Sequence, residues 1–493
     1  MDNLPTFTFQ TAALTFIDNP LHLSYHRTLG KVENFCYNNL CFQIMLSEDN
    51  NSSRDASQEL PEGQAWVITV DMGYGHQRTA YPLRFLAPFQ EAINANHYEG
   101  ISKNDRSIWQ SSQGFYEAVS RFKRIPLIGQ AVFTIFDKFQ TIWSFYPKRD
   151  LSKPTISLRY NYNLIKKGWG CALIKELAKY PLPIVSTFFT PAFMAEENQY
   201  PNNIFCVVCD TDIARTWAPL KAKTSRIKYL TPNQRTTERL ILYGVPKRNI
   251  FQTGYPLPKE NIGLQQEIAQ EDTKNRLLNL DPKGRYRELY EPLIKKYLGP
   301  LPKTSNHPLT ICFAIGGAGA QSDIAVKIVK SLKNKIKNGE IKVAFSLGAK
   351  EKVKENILKQ LTCLKVADQI NKNIILIFGK SINDYFQQFN QALRTTYVLW
   401  TKPSELSFYT ALGLPIILAP TIGSQEESNR KWLLKMGSAI PQGDPNYTHQ
   451  WLPDLIESGW LAEAALQGFI EAEKMGTYNI EKIIQSSKGK IQN

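Results

Sequence analysis

Three stretches of this chain place polar groups directly after apolar runs, and their residue types limit the chemistry they can do. Thr69-Val70-Asp71-Met72-Gly73-Tyr74-Gly75-His76-Gln77-Arg78 follows Ala65-Trp66-Val67-Ile68. The apolar run reads as a strand and the glycines as a turn. A helix is expected to begin near Thr79, with Pro82 in its first turn. Loop, histidine and helix N-terminus are then aimed at one point in space. Gly316-Gly317-Ala318-Gly319-Ala320-Gln321-Ser322 follows the run ending at Ile315, with Ser322 as the expected N-cap. Backbone N–H groups of such a loop can approach a diphosphate, and the helix dipole favours its charge. The loop lacks the Gly-Lys-Ser/Thr ending of a P-loop, which sets ATPase chemistry aside. In the third stretch, Pro420 to Asn429, the side chains of Gln425, Glu426 and Asn429 can hydrogen-bond hydroxyl groups. Placed after a strand, they would face a cleft.

These groups need strands and helices to hold them. Beyond Ala65, strand candidates are Ile184–Phe188, Phe205–Cys209 and Ile227–Leu230, separated by helical or polar stretches. A second series runs through Leu309–Ile315, Val343–Leu347, Ile374–Phe378 and Pro415–Ala419. Alternation of this kind predicts two α/β halves with parallel sheets. The expected organisation is an N-terminal appendage over 1–64, a first domain over 65–259, and a charged, proline-containing connection over 260–305. A second domain over 306–465 and a C-terminal helix over 466–493 complete it.

Composition fits a globular chain with sizeable cores: 493 residues, 43% apolar and 21% charged. The net charge of +15 favours anionic partners: a lipid surface, nucleic acid or a phosphorylated ligand. No nucleic-acid recognition motif accompanies it, so nucleic acid is not an expected partner. Seven irregularly spaced cysteines suggest neither a disulfide framework nor a zinc site, and no metal is expected. Cys206 and Cys209 form a CxxC, but inside an apolar run that reads as a buried strand with the two on opposite faces. A reducing cytosol suits this usage. Neither a secretory signal nor a transmembrane helix is expected. Residues 115–146 hold nine aromatics in 32 residues, several at helical spacing up to Tyr146. Lys123 and Arg124 lie before the helical-spacing run from Val132 to Tyr146; Lys148 and Arg149 follow it. An aromatic helix with basic flanks suits an anionic lipid interface, so peripheral membrane contact through 115–149 is one expectation. A core helix on the sheet is the other.

Several motifs fall in one order: Gly73-Tyr74-Gly75-His76, the Gly316–Gly319 loop, Thr401-Lys402-Pro403, and Gly413-Leu414-Pro415 followed by Gln425-Glu426-Glu427-Ser428-Asn429. That order resembles the glycosyltransferases that include the monogalactosyldiacylglycerol synthases and the bacterial lipid-linked N-acetylglucosaminyltransferase of peptidoglycan synthesis. Asp210-Thr211-Asp212 with Trp217 is similar to that family's strand-end Asp region. Tyr243-Gly244-Val245-Pro246 and Thr253-Gly254-Tyr255-Pro256 are similar to its end-of-domain pattern. The resemblance covers roughly 65–465. It implies an α/β protein of GT-B type, two Rossmann-like domains facing a central cleft, with the acceptor in the first and a nucleotide sugar in the second.

The resemblance also implies roles. His76, with an ordinary pKa near ~6.5, takes the acceptor hydroxyl proton, and Asp212 orients His76 or is itself the base. Gly73 and Gly75 shape the acceptor loop. Gly316, Gly317 and Gly319 hold the leaving diphosphate, while Gln425, Glu426 and Asn429 serve the donor. Displacement is direct and inverting; no cofactor is needed, and the substrate is a nucleotide sugar such as a UDP-sugar. The acceptor is a lipid or lipid-linked hydroxyl at the cytoplasmic face of the membrane. The chain departs from the family at two places. Thr410 stands where a ribose-binding Glu is usual, and Ser404-Glu405 replaces a usual Gly pair. Glu405 is then a substitute donor ligand, or the donor site is degenerate and the protein binds without catalysis. A nucleotide-sugar epimerase shares the fold and is a further alternative. Asp210-Thr211-Asp212 also matches the Asp-x-Asp of a metal-dependent glycosyltransferase fold, which the two glycine loops disfavour.

Overall fold

The computed structural model describes residues 64–111, 141–305, 307–316, 319, 321–421 and 423–488. The N-terminal appendage up to residue 63, most of 115–149 and Gly317 lie outside them. The first sheet holds β1 (Trp66–Thr69), β2 (Ile93–Asn94), β3 (Ile184–Ser186), β4 (Ile204–Val207), β5 (Lys228–Thr231) and β6 (Ile250–Gln252), in the order β2-β1-β3-β4-β5-β6. The second holds β7 (Thr310–Ala314), β8 (Lys342–Gly348), β9 (Ile374–Phe378), β10 (Val398–Thr401), β11 (Ile416–Leu418) and β12 (Ala439–Pro441), in the order β12-β11-β10-β7-β8-β9. All pairings within both sheets are parallel. Parallel strands are covered on both faces, so they read as unbroken apolar runs. The buried WVIT of β1 and TICFA of β7 do so.

The helices that bear on the site are α1 (Tyr74–Ala80), α2 (Phe189–Glu197), α3 (Glu267–Leu280), α4 (Ser322–Lys337), α5 (Ile382–Leu393), α6 (Ser424–Met436), α7 (Trp460–Glu471) and α8 (Gly476–Lys488). The connection after the first sheet is largely helical and includes α3. The last helix returns to the first half. Ile480 and Ile484 of α8 are buried in one apolar cluster with Val67, Val185, Phe205 and Leu230. The architecture is thus a two-domain α/β fold of GT-B type.

Each sheet has one place where strand order reverses: between β1 and β3 in the first, between β7 and β10 in the second. Chain connections leave to opposite sides there and open a crevice beyond the carboxyl ends of the strands, the ordinary ligand position in such sheets.

Three local expectations differ from the structure. Helix α1 starts at Tyr74, five residues before Thr79, because Gly73 at φ 107° completes the turn at once. Pro82 instead opens a 3-10 turn, Tyr81–Leu86. The C-terminal helix expected over 466–493 is, among the described residues, the end of one helix and a second, broken between Glu471 and Gly476, where the Lys474 Nζ donates to the Phe469 and Ala472 carbonyls. Residues 141–146 are not helical, consistent with Pro147, which disfavours helical geometry in the residue before it.

Candidate active site

The first reversal point is closed by His76. Its Nδ1 donates to the Thr187 carbonyl at 2.9 Å, while Thr187 Oγ1 donates to the His76 carbonyl at 3.0 Å. The turn after β1 is thereby tied to the end of β3. A carbonyl can only accept, so the proton sits on Nδ1 and Nε2 is the acceptor of the ring. Phe188 packs against the imidazole at 4.7 Å between centroids, and Cys209 Sγ lies 3.4 Å from Nδ1. Crowding by protein lowers the His76 pKa to about 4, against the opposing pull of the Thr187 carbonyl and the Glu405 charge. The imidazole is therefore neutral at pH 7, the state a proton acceptor needs. The Cys209 thiol is pushed well up by burial and remains protonated.

Of the two aspartates after β4, the structure turns the unexpected one toward the crevice. Asp212 does not orient His76. Arg239 holds its carboxylate with two bonds of 2.8 Å, and the Ile213 N–H adds a third at 2.9 Å. A buried guanidinium requires such a partner, and the pair anchors the loop to the helix Gln234–Leu242. Asp210, two residues earlier, is raised to about 7: burial is the main cause, helped by the Glu405 and Glu426 charges and opposed by Asn429. Sequence reasoning put the chemistry on Asp212 and gave Asp210 a role only in the disfavoured metal-dependent alternative. Its position as the first acidic residue beyond an apolar strand is the signal that was available.

At the second reversal point, Gly316 and Gly319 both take positive φ, 83° and 68°. The Gly319 N–H donates to the Gly316 carbonyl, and α4 begins at Ser322. Ser322 is not the N-cap: its Oγ donates to the Gly319 carbonyl at 2.8 Å, and Gln321 occupies the cap. Gln425 and Glu426 lie in the first turn of α6, with Glu426 Oε1 accepting from Lys402 Nζ at 2.6 Å. Thr410 is wholly buried in the 3-10 helix Glu405–Leu412, packed against Gly468 of α7. A glutamate there would bury its carboxylate, so the position has no part in the crevice. Glu405, at the start of the same helix, is the carboxylate that reaches across.

Two expected donor residues already hold partners in the first half. Asn429 Oδ1 accepts from the Thr211 N–H at 3.0 Å and from Thr211 Oγ1 at 2.7 Å. Its Nδ2 faces Asp210 Oδ1 at 3.4 Å. Glu405 Oε1 accepts from Arg78 Nε at 3.1 Å, and its Oε2 lies where a Cβ on Gly75 would meet it at 3.2 Å. A side chain on Gly75 would press on the Glu405 carboxylate, so the two approach closely there. Arg78 enters an aromatic cage of the second half. Its Nη2 donates to Tyr385 OH at 2.9 Å, and its guanidinium lies 4.8 Å from the Phe386 ring and 4.4 Å from that of Phe389. Tyr74 OH accepts from the Ala349 N–H at 3.0 Å. Tyr255 stacks on Phe408 at 4.6 Å with an 8° interplanar angle. Arg78, Tyr74 and Tyr255 carry no local pattern that announces such contacts. Their partners lie more than 150 residues away.

Fold and site together define a two-domain α/β protein whose polar groups gather at the reversal points of two parallel sheets. A family model described as "Domain of unknown function (DUF6938)" matches residues 302–484. No curated protein sequence matches the chain. Among solved structures it is similar to the S. aureus MnaA–UDP co-structure: 13% identity, TM-score 0.41, 75% of this chain and 88% of that one. It is also similar to UDP-GlcNAc 2-epimerase from Neisseria meningitidis bound to UDP-GlcNAc, with 13% identity, TM-score 0.38, and 73% and 88% of the two chains. Acinetobacter baumannii MurG matches at 13% identity and TM-score 0.38 over 65% and 78%. At these scores nothing about substrate or reaction carries over. Among the described residues, no helix is long and apolar enough to cross a membrane, and no group of three or more His, Cys, Asp or Glu side chains is arranged to hold a metal.

Proposed function

We propose that this chain is a hexosyltransferase-type glycosyltransferase. It moves a sugar from a nucleotide-sugar donor, a UDP-sugar in the first instance, to a lipid or lipid-linked hydroxyl, with inversion at the anomeric carbon. The observation that carries the reading is the neutral His76, locked by Thr187 at one reversal point, with a glycine loop and helix N-terminus at the other. The acceptor hydroxyl gives its proton to His76 Nε2 as its oxygen attacks the anomeric carbon. The bond to the diphosphate breaks, and the leaving charge is taken at the N-terminus of α4, which the Gly316–Gly319 loop lets it approach. Gln425 and Glu426 hold sugar hydroxyls. Exposed Trp143 and Tyr146 beside Lys148 and Arg149 support contact with the inner face of a membrane.

The test is release of nucleoside diphosphate from a panel of nucleotide sugars, with and without a lipid extract as acceptor source. The reading expects release that depends on the acceptor and is lost in His76→Ala. Two observations favour competing readings. Asp210, raised to about 7, is a second proton carrier near the same crevice, as an epimerase would need. Conversion of the sugar with no acceptor present would establish that alternative. The prior engagement of Glu405 and Asn429 suits a non-catalytic binding protein, which would leave every nucleotide sugar intact.

A further inference from the structure

Glu405 stands where the resembling family carries a small residue, and it is built into the first half and not left open to a donor. Its Oε1 is bonded to Arg78 Nε, and its Oε2 rests on the Gly75 turn. Both carboxylate and guanidinium are well buried, with 11% and 3% side-chain exposure, so solvent does not hold either in place. The seven residues of α1 depend on such contacts, because a helix this short has little stability of its own. Gly73 offers no side-chain cap. What fixes α1 comes from both halves: Tyr74 on the Ala349 N–H, Gly75 against Glu405, Arg78 on Glu405 and Tyr385, and Thr79 on Tyr255 OH. His76 is the third residue of that helix.

We propose that Glu405 is a positioning residue that acts through Arg78 and the Gly75 turn, so that the second half sets the placement of His76 and completes the proton-accepting site of the first. The proposal rests on the transferase reading for its catalytic consequence, though not for its structural one. The charge of Glu405 reaches the same group of side chains. It opposes the lowering of His76 and helps raise Asp210 and Cys209. The titratable groups facing the imidazole are Cys209 from the end of β4 and Glu405 from the second half, and Asp210 is coupled to Glu405 and to Glu426.

Glu405→Gln and Arg78→Lys break the pair from its two sides, with little change of volume. The first arm is backbone hydrogen exchange of the peptide spanning residues 74–80 in the full-length chain. It should speed up by about tenfold or more in both variants, while the strands keep their protection. The second arm is kinetic. Turnover should fall about tenfold or more with donor KM changed by less than about twofold, the mark of a lost positioning contact. The limb of the kcat/KM profile that belongs to His76, near pH 4, should move to lower pH in Glu405→Gln, since the Glu405 charge favours the protonated ring and its removal disfavours it. Unchanged exchange over 74–80 in both variants overturns the proposal. So does a loss confined to donor KM, which would make Glu405 a direct donor ligand. If the wild-type chain transfers no sugar at all, the transferase reading falls while the exchange arm still decides the proposal. If one variant does not fold, the other supplies the same comparison.

Discussion

The turn after β1 and the loop after β10 each lie beside the point where their sheet reverses, yet they are built differently. The first is held by its own half at its chemical centre: His76 is bonded to Thr187, with its second ring nitrogen kept as an acceptor. The second directs its side chains outward, and they are already engaged: Glu405 with Arg78, and Asn429 from the neighbouring α6 with Thr211. The Thr187 bond fixes the orientation and tautomer of the ring from within the first half, while the helix that carries it also draws on contacts from the second. A site held from across the crevice is ordered only while the halves are docked. Any ligand that displaces those contacts must replace their hydrogen bonds, because a buried polar group left unpaired costs about 1–3 kcal/mol.

The largest expected effect tests the inner-held region. His76→Ala should lower turnover by about 10²–10⁴-fold, the usual contribution of a positioned proton acceptor, with unfolding midpoint little changed. Steady-state rates with denaturation curves check this; wild-type turnover would remove His76 from the chemistry. Asp212→Asn sharpens the contrast from the opposite side. Breaking its pair with the buried Arg239 should cost about 3–5 kcal/mol of stability, while turnover per folded molecule stays near wild type. Chemical denaturation and active-site-normalised rates separate the two. Asn429→Ala tests the cross-held region: it strands the Thr211 N–H and hydroxyl, and should cost about 1–3 kcal/mol. No loss of stability would mean that the halves are not joined there in solution.

The smallest effect is in the pH dependence of stability. Asp210, raised to about 7 from an unfolded value near ~3.9, favours the folded state at low pH and loses that contribution as pH rises through 7. His76, lowered to about 4 from near ~6.5, does the reverse: its contribution is present above its unfolded value and lost as pH falls toward 4. Between about pH 4 and 6.5 the two oppose each other. Asp210→Asn should therefore show stability that climbs more steeply with pH over that window than the wild type. Thermal midpoints across the range check the sign.

Eight of the twelve described strands were legible because parallel strands buried on both faces leave unbroken apolar runs, and the glycines after β1 and β7 marked the two loops; β2, β6, β10 and β12, of two to four residues each, were not read. Which aspartate of Asp210-Thr211-Asp212 faces the crevice was not legible. That depends on where β4 ends and on Arg239, 27 residues further on. The role of Glu405 was half legible. Its departure from a small-residue pattern was visible in the chain, but its partner Arg78 is 327 positions away and leaves no local periodicity. Thr410 shows the converse. It looked like an altered donor ligand, and its burial against Gly468 removes it from the crevice altogether.

The most direct test of the central claim is a thermal-shift panel of UDP, GDP, dTDP, CMP and their common sugar conjugates on the full-length chain. A nucleotide sugar bound at the second reversal point, at about 100 times its Kd, adds about 2.7 kcal/mol to stability. The account predicts a clear upward shift with one nucleotide class, reduced when Gly319 is replaced by valine in the diphosphate loop. No shift with any member of the panel would contradict it and leave the two docked halves as a scaffold without a donor.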